Sequence, residues 1–472
     1  MKIFGKPLRA SILALSLATT ALSGVAAAQD LFGATDRTLE GQVRFAAAEA
    51  RSPIHAGSQV VVTGRYFRPG QTIRLLYGAQ PLPGGDQTAD AEGAFEARIT
   101  VPESATVGLH PIVVISEAPY TASVVELKVS PNIPLAGAEG FVIETAQLVN
   151  SLYQSAYSAR NDAVFVTAAV GRPPVRDSTL MRLDADTLEI EARITPGPAP
   201  QRRSPSGEMT DGGVYAVYGV GVDDVNDTVW VSNTRQDTVA VYRQSDLSLV
   251  RQFEPGTVNH ARDLVHDAEL DKIYVSATFT PEVVVFDAES TDLRTRIEIP
   301  SGVRGETFSA ASLSFDQEAH RLYVVGLSTD EVAVIDTNTD AVLNVFPVPG
   351  ARGSIGISHD PQTGRIFVAA QGTDNLIILD GSTGEVIADT PVGAGALNVA
   401  FEPQSRLAYV TSRVAGTVTV VDADGAIVAN LGPAPLVNHV ALDGEGGVFV
   451  VNKAFGEDDP LGNRILHIQP RR

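Results

Sequence analysis

The chain has 472 residues, a formal charge of −21 at neutral pH and no cysteine. Its length exceeds what one ordinary compact domain needs, and plentiful Gly and Pro with few charges suit many short strands joined by turns. The missing cysteine excludes disulfides, thiolate-held zinc, iron–sulfur clusters, c-type haem attachment and cysteine-linked lipid, while the acidic balance disfavours nucleic acid and anionic membranes as partners.

Taken in chain order, residues 1–28 read as a cleavable secretory signal. Lys2, Lys6 and Arg9 precede an apolar stretch at 12–22, and small residues at 25–28 fit an A-x-A cleavage site. That stretch is short for a membrane span and no later segment reaches about 18 apolar residues, so no membrane insertion is expected. Cleavage would remove those three cations and take the net charge from −21 to −24. Export without disulfides points to a bacterial periplasm or the extracellular space. Residues 29–51 are a lead-in without an assigned element, mobile or helical.

Residues 52–130 carry SQVVVTGRYFRPGQTIRLLYG, GAFEARITVP, HPIVVIS and SVVELKV, short apolar runs separated by Gly/Pro turns. Their spacing predicts one small antiparallel β-sandwich. PNIPLAGAEG then opens a linker, residues 131–139.

From residue 140 to 472 one pattern repeats. An apolar run with an aromatic second residue recurs at Phe165, Trp230, Tyr274, Tyr323, Phe367, Tyr409 and Phe449. A second run follows each, commonly ending in Asp, as in VVVFD, VAVID, LIILD and VTVVD. Shorter segments such as YGVGVDD, RDLVHD, LNVAFE and NHVALD come before, and a fourth strand such as AVLNVFPV comes after. Four short strands at a period near 42 residues, seven times over, predict a seven-bladed β-propeller. The whole chain is therefore expected to be all-β, a sandwich followed by a propeller. The last copy lacks a fourth strand, and EGFVIETA (139–146) has no hairpin partner, so it is expected to supply that strand and close the ring. The Asp at the end of each third strand is expected to bond turn N–H groups, a structural role.

With these repeats, and AYVTSRVAGTVTVVDA and PLVNHVALDGEGGVFVVNK in its last two copies, residues 140–472 resemble the YVTN-repeat, YncE-like propellers of the bacterial periplasm and cell surface. The N-terminal sandwich resembles immunoglobulin-like modules through V-x-G-x-x-F-x-P-G. The family resemblance implies a binding scaffold without a shared catalytic motif, and permits DNA binding, which is reported for some members.

A propeller's innermost strands begin around one mouth of its axis, and side chains there converge. That places Tyr218, His260, Arg262, Asn398, Asn438 and His439 at the mouth, with Arg304 and Arg352 on neighbouring loops. The expected ligand is a small anion or an anionic segment of a protein partner. The competing reading pairs Arg262 with Asp263 and Arg304 with Glu306. Among the missing chemistry are H-E-x-x-H, a calcium loop, a G-x-S-x-G elbow and a phosphate loop. HDAELD (266–271) reads as a solvated turn, not a metal centre. No cofactor or metal is expected, the protein is expected to be a monomer, and binding is favoured over turnover. A lactonase- or lyase-like enzyme using His260 and His439 is the alternative.

Overall fold

The computed structural model describes residues 41–203 and 206–471, and the regular elements there are strands apart from two single 3-10 turns. The expected signal, 1–28, and most of the lead-in lie outside the described residues.

Near the N-terminus, two sheets close on one core. Gln42–Ala47, Gln59–Arg65 and Phe95–Thr100 form the first sheet. Gln80–Thr88, Thr72–Tyr77, Gly108–Glu117 and Thr121–Val129 form the second. Strict alternation explains the packing: Phe95, Ala97 and Ile99 point inward while Glu96, Arg98 and Thr100 face solvent. They meet Val60, Val62, Ile73, Leu75, Ile112, Val114 and Leu127 in the core. The lead-in thus has a strand after all. Gln42–Ala47 pairs in antiparallel register with Gln59–Arg65, which moves the start of the sandwich to or before residue 42. Only Val43 on that edge strand is fully buried, so its sequence shows little apolar signal.

Seven four-stranded antiparallel sheets follow, and the innermost strand of each packs against that of the next. These innermost strands are Leu152–Ser158, Val220–Asp223, Ala261–Asp267, Ala310–Asp316, Ser354–His359, Ala396–Glu402 and Val437–Leu442, in blades 1 to 7. Val437–Leu442 also packs against Leu152–Ser158, which completes the ring. In blade 7 the outer strand is Phe141–Gln147, paired antiparallel with the C-terminal strand Arg464–Pro470 from Phe141↔Pro470 to Gln147↔Arg464. Both ends of the repeat region therefore share one sheet.

Second and third strands of each blade are covered on both faces by neighbouring blades, hence their nearly continuous apolar runs. Trp230, Tyr274, Tyr409, Phe165, Phe367 and Phe449 are all fully buried there. The repeated Asp caps its turn as expected. Asp287 accepts the Ser290 N–H at 2.7 Å and Asp336 the Asn338 N–H at 2.9 Å. The Ser290 bond is the main reason the Asp287 carboxyl is held down to about 2. Between blades 1 and 2 the chain adds a small hairpin, Arg202–Arg203 with Met209–Thr210.

The sandwich touches the propeller on the face where the innermost strands begin, here called the upper face. Lys128 Nζ lies 2.8 Å from Asp374 Oδ1 and 3.0 Å from the Gln371 carbonyl, on the upper loop of blade 5. The linker runs along blade 6, where Ala136 bridges Asn430.

Candidate functional site, the axial funnel

At the upper face the starts of five innermost strands surround a funnel of about 170 Å³. Blade 1 contributes Tyr153 and Gln154, blade 2 Tyr218 and Gly219, blade 3 His260 and Arg262, blade 6 Leu397 and Asn398, and blade 7 Asn438 and His439. Arg235 and Arg413 reach in from the loops after the second strands of blades 2 and 6. The walls can meet this closely because of small residues. A Cβ on Gly219 would stand 1.9 Å from the Arg262 carbonyl, so any larger residue would push blades 2 and 3 apart.

Six of the expected residues are brought together here: Tyr218, His260, Arg262, Asn398, Asn438 and His439. Arg304 and Arg352 are not. Arg304 stands exposed on the loop between blades 3 and 4, and Arg352 turns away to Glu126 of the sandwich at 3.7 Å. Both lie on the upper face, but their loops lead outward. Sequence reasoning missed Tyr153 and Gln154, whose strand LYQSAYS is too polar to read as the innermost strand of blade 1. It also gave no reason to prefer Arg235 and Arg413 over the other upper-face arginines.

Among the described residues, the funnel lining carries three arginines and two histidines and no carboxylate. Arg413 Nη1 donates to Asn438 Oδ1 at 3.2 Å, and Asn438 Nδ2 donates to the Tyr153 carbonyl at 2.7 Å. Arg262 has no carboxylate within ion-pair distance among the described residues, and its Nε is buried without a hydrogen-bond partner. The neighbouring Asp263 carboxylate instead accepts the Leu313 N–H at 3.0 Å and the Leu264 N–H at 3.2 Å. Arg304 and Glu306 make no ion pair among the described residues. The Tyr218 hydroxyl is likewise buried without a hydrogen-bond partner. Asn398, 7% exposed, uses only its backbone in hydrogen bonds among the described residues.

The two imidazoles are held neutral. His439 Nδ1 accepts the Ser155 N–H at 3.3 Å, which leaves Nε2 carrying the proton. Burial, with Arg262 adding to it, presses its pKa down to about 3. The His260 imidazole pKa is lowered by burial and by Arg235, against Asp237, whose carboxylate accepts the His260 backbone N–H at 2.7 Å. Its ring packs against the exposed Phe279 in a tilted arrangement, with centroids 4.3 Å apart and planes at 36°. Behind the wall, Lys453 Nζ lies 3.1 Å from the centroid of the Tyr153 ring. Burial and Arg413 press that amine down to about 6, while the ring face favours its charged form. Such a set offers hydrogen-bond donors and positive potential to whatever enters, with the nearest anions, Asp263 beside Arg262 and Asp237 beside His260, set behind the lining and engaged by backbone N–H groups.

On the lower face, Asp223, His266 and Asp271 are, among the described residues, the one cluster with metal-ligand spacing. Its contacts are structural. Asp223 accepts N–H groups of Val225 and Asn226 and the Thr228 hydroxyl, closing its turn. Asn226 Nδ2 then bridges Asp223 and Asp271. His266 Nε2 lies 3.5 Å from Asp223 Oδ1, and the same cross-blade arrangement recurs where His359 faces Asp316 at 3.8 Å. The His266 side chain is only 6% exposed, so this end of HDAELD is buried between blades and not solvated.

Fold and funnel together define a β-propeller with a polar axial mouth. No family model matches the chain. Its similar curated relatives are proteins described as "Uncharacterized protein YncE". The one from Salmonella typhimurium is 26% identical over 313 residues, 64% of this chain and 82% of the relative. The one from Salmonella typhi is 25% identical over the same shares. Among solved structures, virginiamycin B lyase from Staphylococcus aureus superposes with a TM-score of 0.52 at 11% identity, over 70% of this chain and 100% of that one. U3-55K superposes with a TM-score of 0.54 at 11% identity, over 70% and 98%. The chain is thus a propeller similar to YncE, and the structural likenesses speak for the fold alone.

Proposed function

We propose that this is an exported binding protein whose funnel takes a small anionic ligand, a carboxylate or phosphate, with the N-terminal sandwich serving as an immunoglobulin-like contact module. The observation that carries this is the composition of the funnel wall: three arginines, two neutral histidines and no carboxylate, in a chain of net charge −21. Positive potential gathered against the sign of the whole molecule is selective for an anion small enough to pass the acidic exterior. Nucleic acid is disfavoured, because a polyanion would meet that exterior before the funnel. The signal-like residues 1–28 support delivery to the periplasm or beyond.

Thermal shift and calorimetry with acetate, succinate and phosphate test the reading. Saturation at about a hundred times Kd would add about 2.7 kcal/mol of stability. The double variant R235Q/R413Q is expected to weaken binding at least tenfold while remaining folded. An unchanged ligand response in that variant removes the funnel from consideration.

A second reading, a lyase or hydrolase, is favoured by one observation: the neutral His260 imidazole, whose ring nitrogens have no hydrogen-bond partner among the described residues, shares the funnel with Arg262, as a base and an oxyanion partner would. Turnover lost in H260Q but retained in R235Q/R413Q would select it.

A further inference from the structure

A groove lined mainly by apolar residues, with Arg44, Glu49, Arg51, Glu126 and Lys128 also on its wall, lies between the sandwich and the upper face of the propeller. Its volume is about 960 Å³, and Phe45, Ala47 and Ile54 of the sandwich face Val414, Leu436 and Phe455 of the propeller across it. Groove and funnel are built on the same loops. Arg413 lines the funnel and the next residue, Val414, lines the groove. Asn438 lines the funnel and Leu436, two residues earlier, lines the groove. Lys453 supports Tyr153 at the funnel, while Phe455 lies in the groove under the Arg51 guanidinium. Ala394 of the groove likewise precedes Leu397 and Asn398 of the funnel in the chain.

Two further features mark this seam as shaped. Leu436 sits in the left-handed region, with φ 46°, which is uncommon for a residue with a branched side chain. Val414 is 43% exposed although its surroundings are apolar. The sandwich is held over the seam by Lys128 on the buried Asp374 and by Glu126 near Arg352. The cationic funnel and the groove therefore lie side by side on the loops of blades 6 and 7, with neighbouring residues of one loop lining each.

We infer that funnel and groove form one bipartite site for an amphiphilic anion, a single carboxylate or phosphate head on an unbranched apolar chain. The head meets Arg413, Arg262 and the His439 Nε2–H, and the chain runs past Val414 and Leu436 beneath the sandwich. This rests on the anion reading of the funnel and adds to it the class of ligand. Burial of each methylene strengthens binding by up to about fourfold, and less in an open channel.

The test is calorimetry on the full chain with acetate, hexanoate and decanoate, each below its micellar concentration. Wild type is expected to bind decanoate at least tenfold more tightly than hexanoate. Val414→Asn, at a position 43% exposed and with no new charge beside Arg413, is expected to flatten that dependence and leave acetate binding unchanged. If acetate binds wild type through Arg413 but affinity does not rise with chain length, the groove inference fails and the funnel reading stands. A length dependence that V414N leaves intact also overturns it, placing the chain elsewhere. If none of the three binds, both fall together.

Discussion

His439 shows how one residue joins stability to the funnel's chemistry. Its folded pKa of about 3 lies well below the ordinary histidine value near 6.5, because burial and Arg262 oppose a second positive charge. Below pH 6.5 the unfolded chain therefore takes up a proton that the folded chain refuses. The stabilisation from the neutral imidazole is present above that pH and is lost as pH falls toward the folded value. Wild type is expected to lose up to about 2 kcal/mol more than H439Q between pH 7 and pH 5. Urea unfolding of both proteins at those two pH values measures the difference, and equal losses would mean that His439 is charged or solvated in the folded state. The same neutrality matters at the mouth. An imidazole whose Nδ1 is engaged by Ser155 presents one N–H donor to a ligand without adding charge.

At the scale of the blade, buried cross-blade pairs join what the apolar strands bring together. Arg406 in blade 6 forks onto Asp360 in blade 5, with Nη1–Oδ1 and Nη2–Oδ2 both 2.5 Å, and the Asp360 side chain is fully buried. Removing only the arginine leaves that carboxylate without its countercharge between two sheets. Arg406→Ala is accordingly expected to cost about 2–4 kcal/mol in urea unfolding, whereas Arg251→Ala, from an exposed pair with Asp292, is expected to cost little. Equal effects would show that packing and not charge sets the strength of the blade contact. The blades were largely legible in the sequence, since strands buried on both faces must be apolar and their aromatic residues keep step. LYQSAYS was not, because Gln154 and Ser155 serve the funnel and spoil the apolar run: Gln154 Oε1 accepts the Val220 N–H of blade 2 at 3.1 Å. The funnel was half legible for the same kind of reason. Residues at strand starts, such as His260 and His439, are placed by the repeat. Arg235 and Arg413 differ from Arg304 and Arg352 only in which way a loop folds, which the local sequence does not encode.

Across the whole molecule, the ring is a closed structure made from an open chain, and its seam is blade 7. Six blades are each formed from consecutive strands, so each can form from a continuous stretch of the repeat. Blade 7 needs Phe141–Gln147 to find Arg464–Pro470 across more than three hundred residues of sequence. Opening that one strand pair exposes the third strand of blade 7 as a free edge, while Lys128 on Asp374 and Ala136 on Asn430 still tie the sandwich and linker to blades 5 and 6. A covalent link at the seam should then stabilise the protein as a whole. Val142 and Gln469 face each other in register, and a chain without cysteine offers no thiol to mispair. Loop-closure entropy for so long a loop predicts a gain on the order of 5 kcal/mol, less any strain in the new bond. Oxidised V142C/Q469C is expected to melt several degrees above its own reduced form, with the reduced form near wild type. If both forms melt together, the two terminal strands stay paired when the blades unfold, and the seam is not where the ring opens.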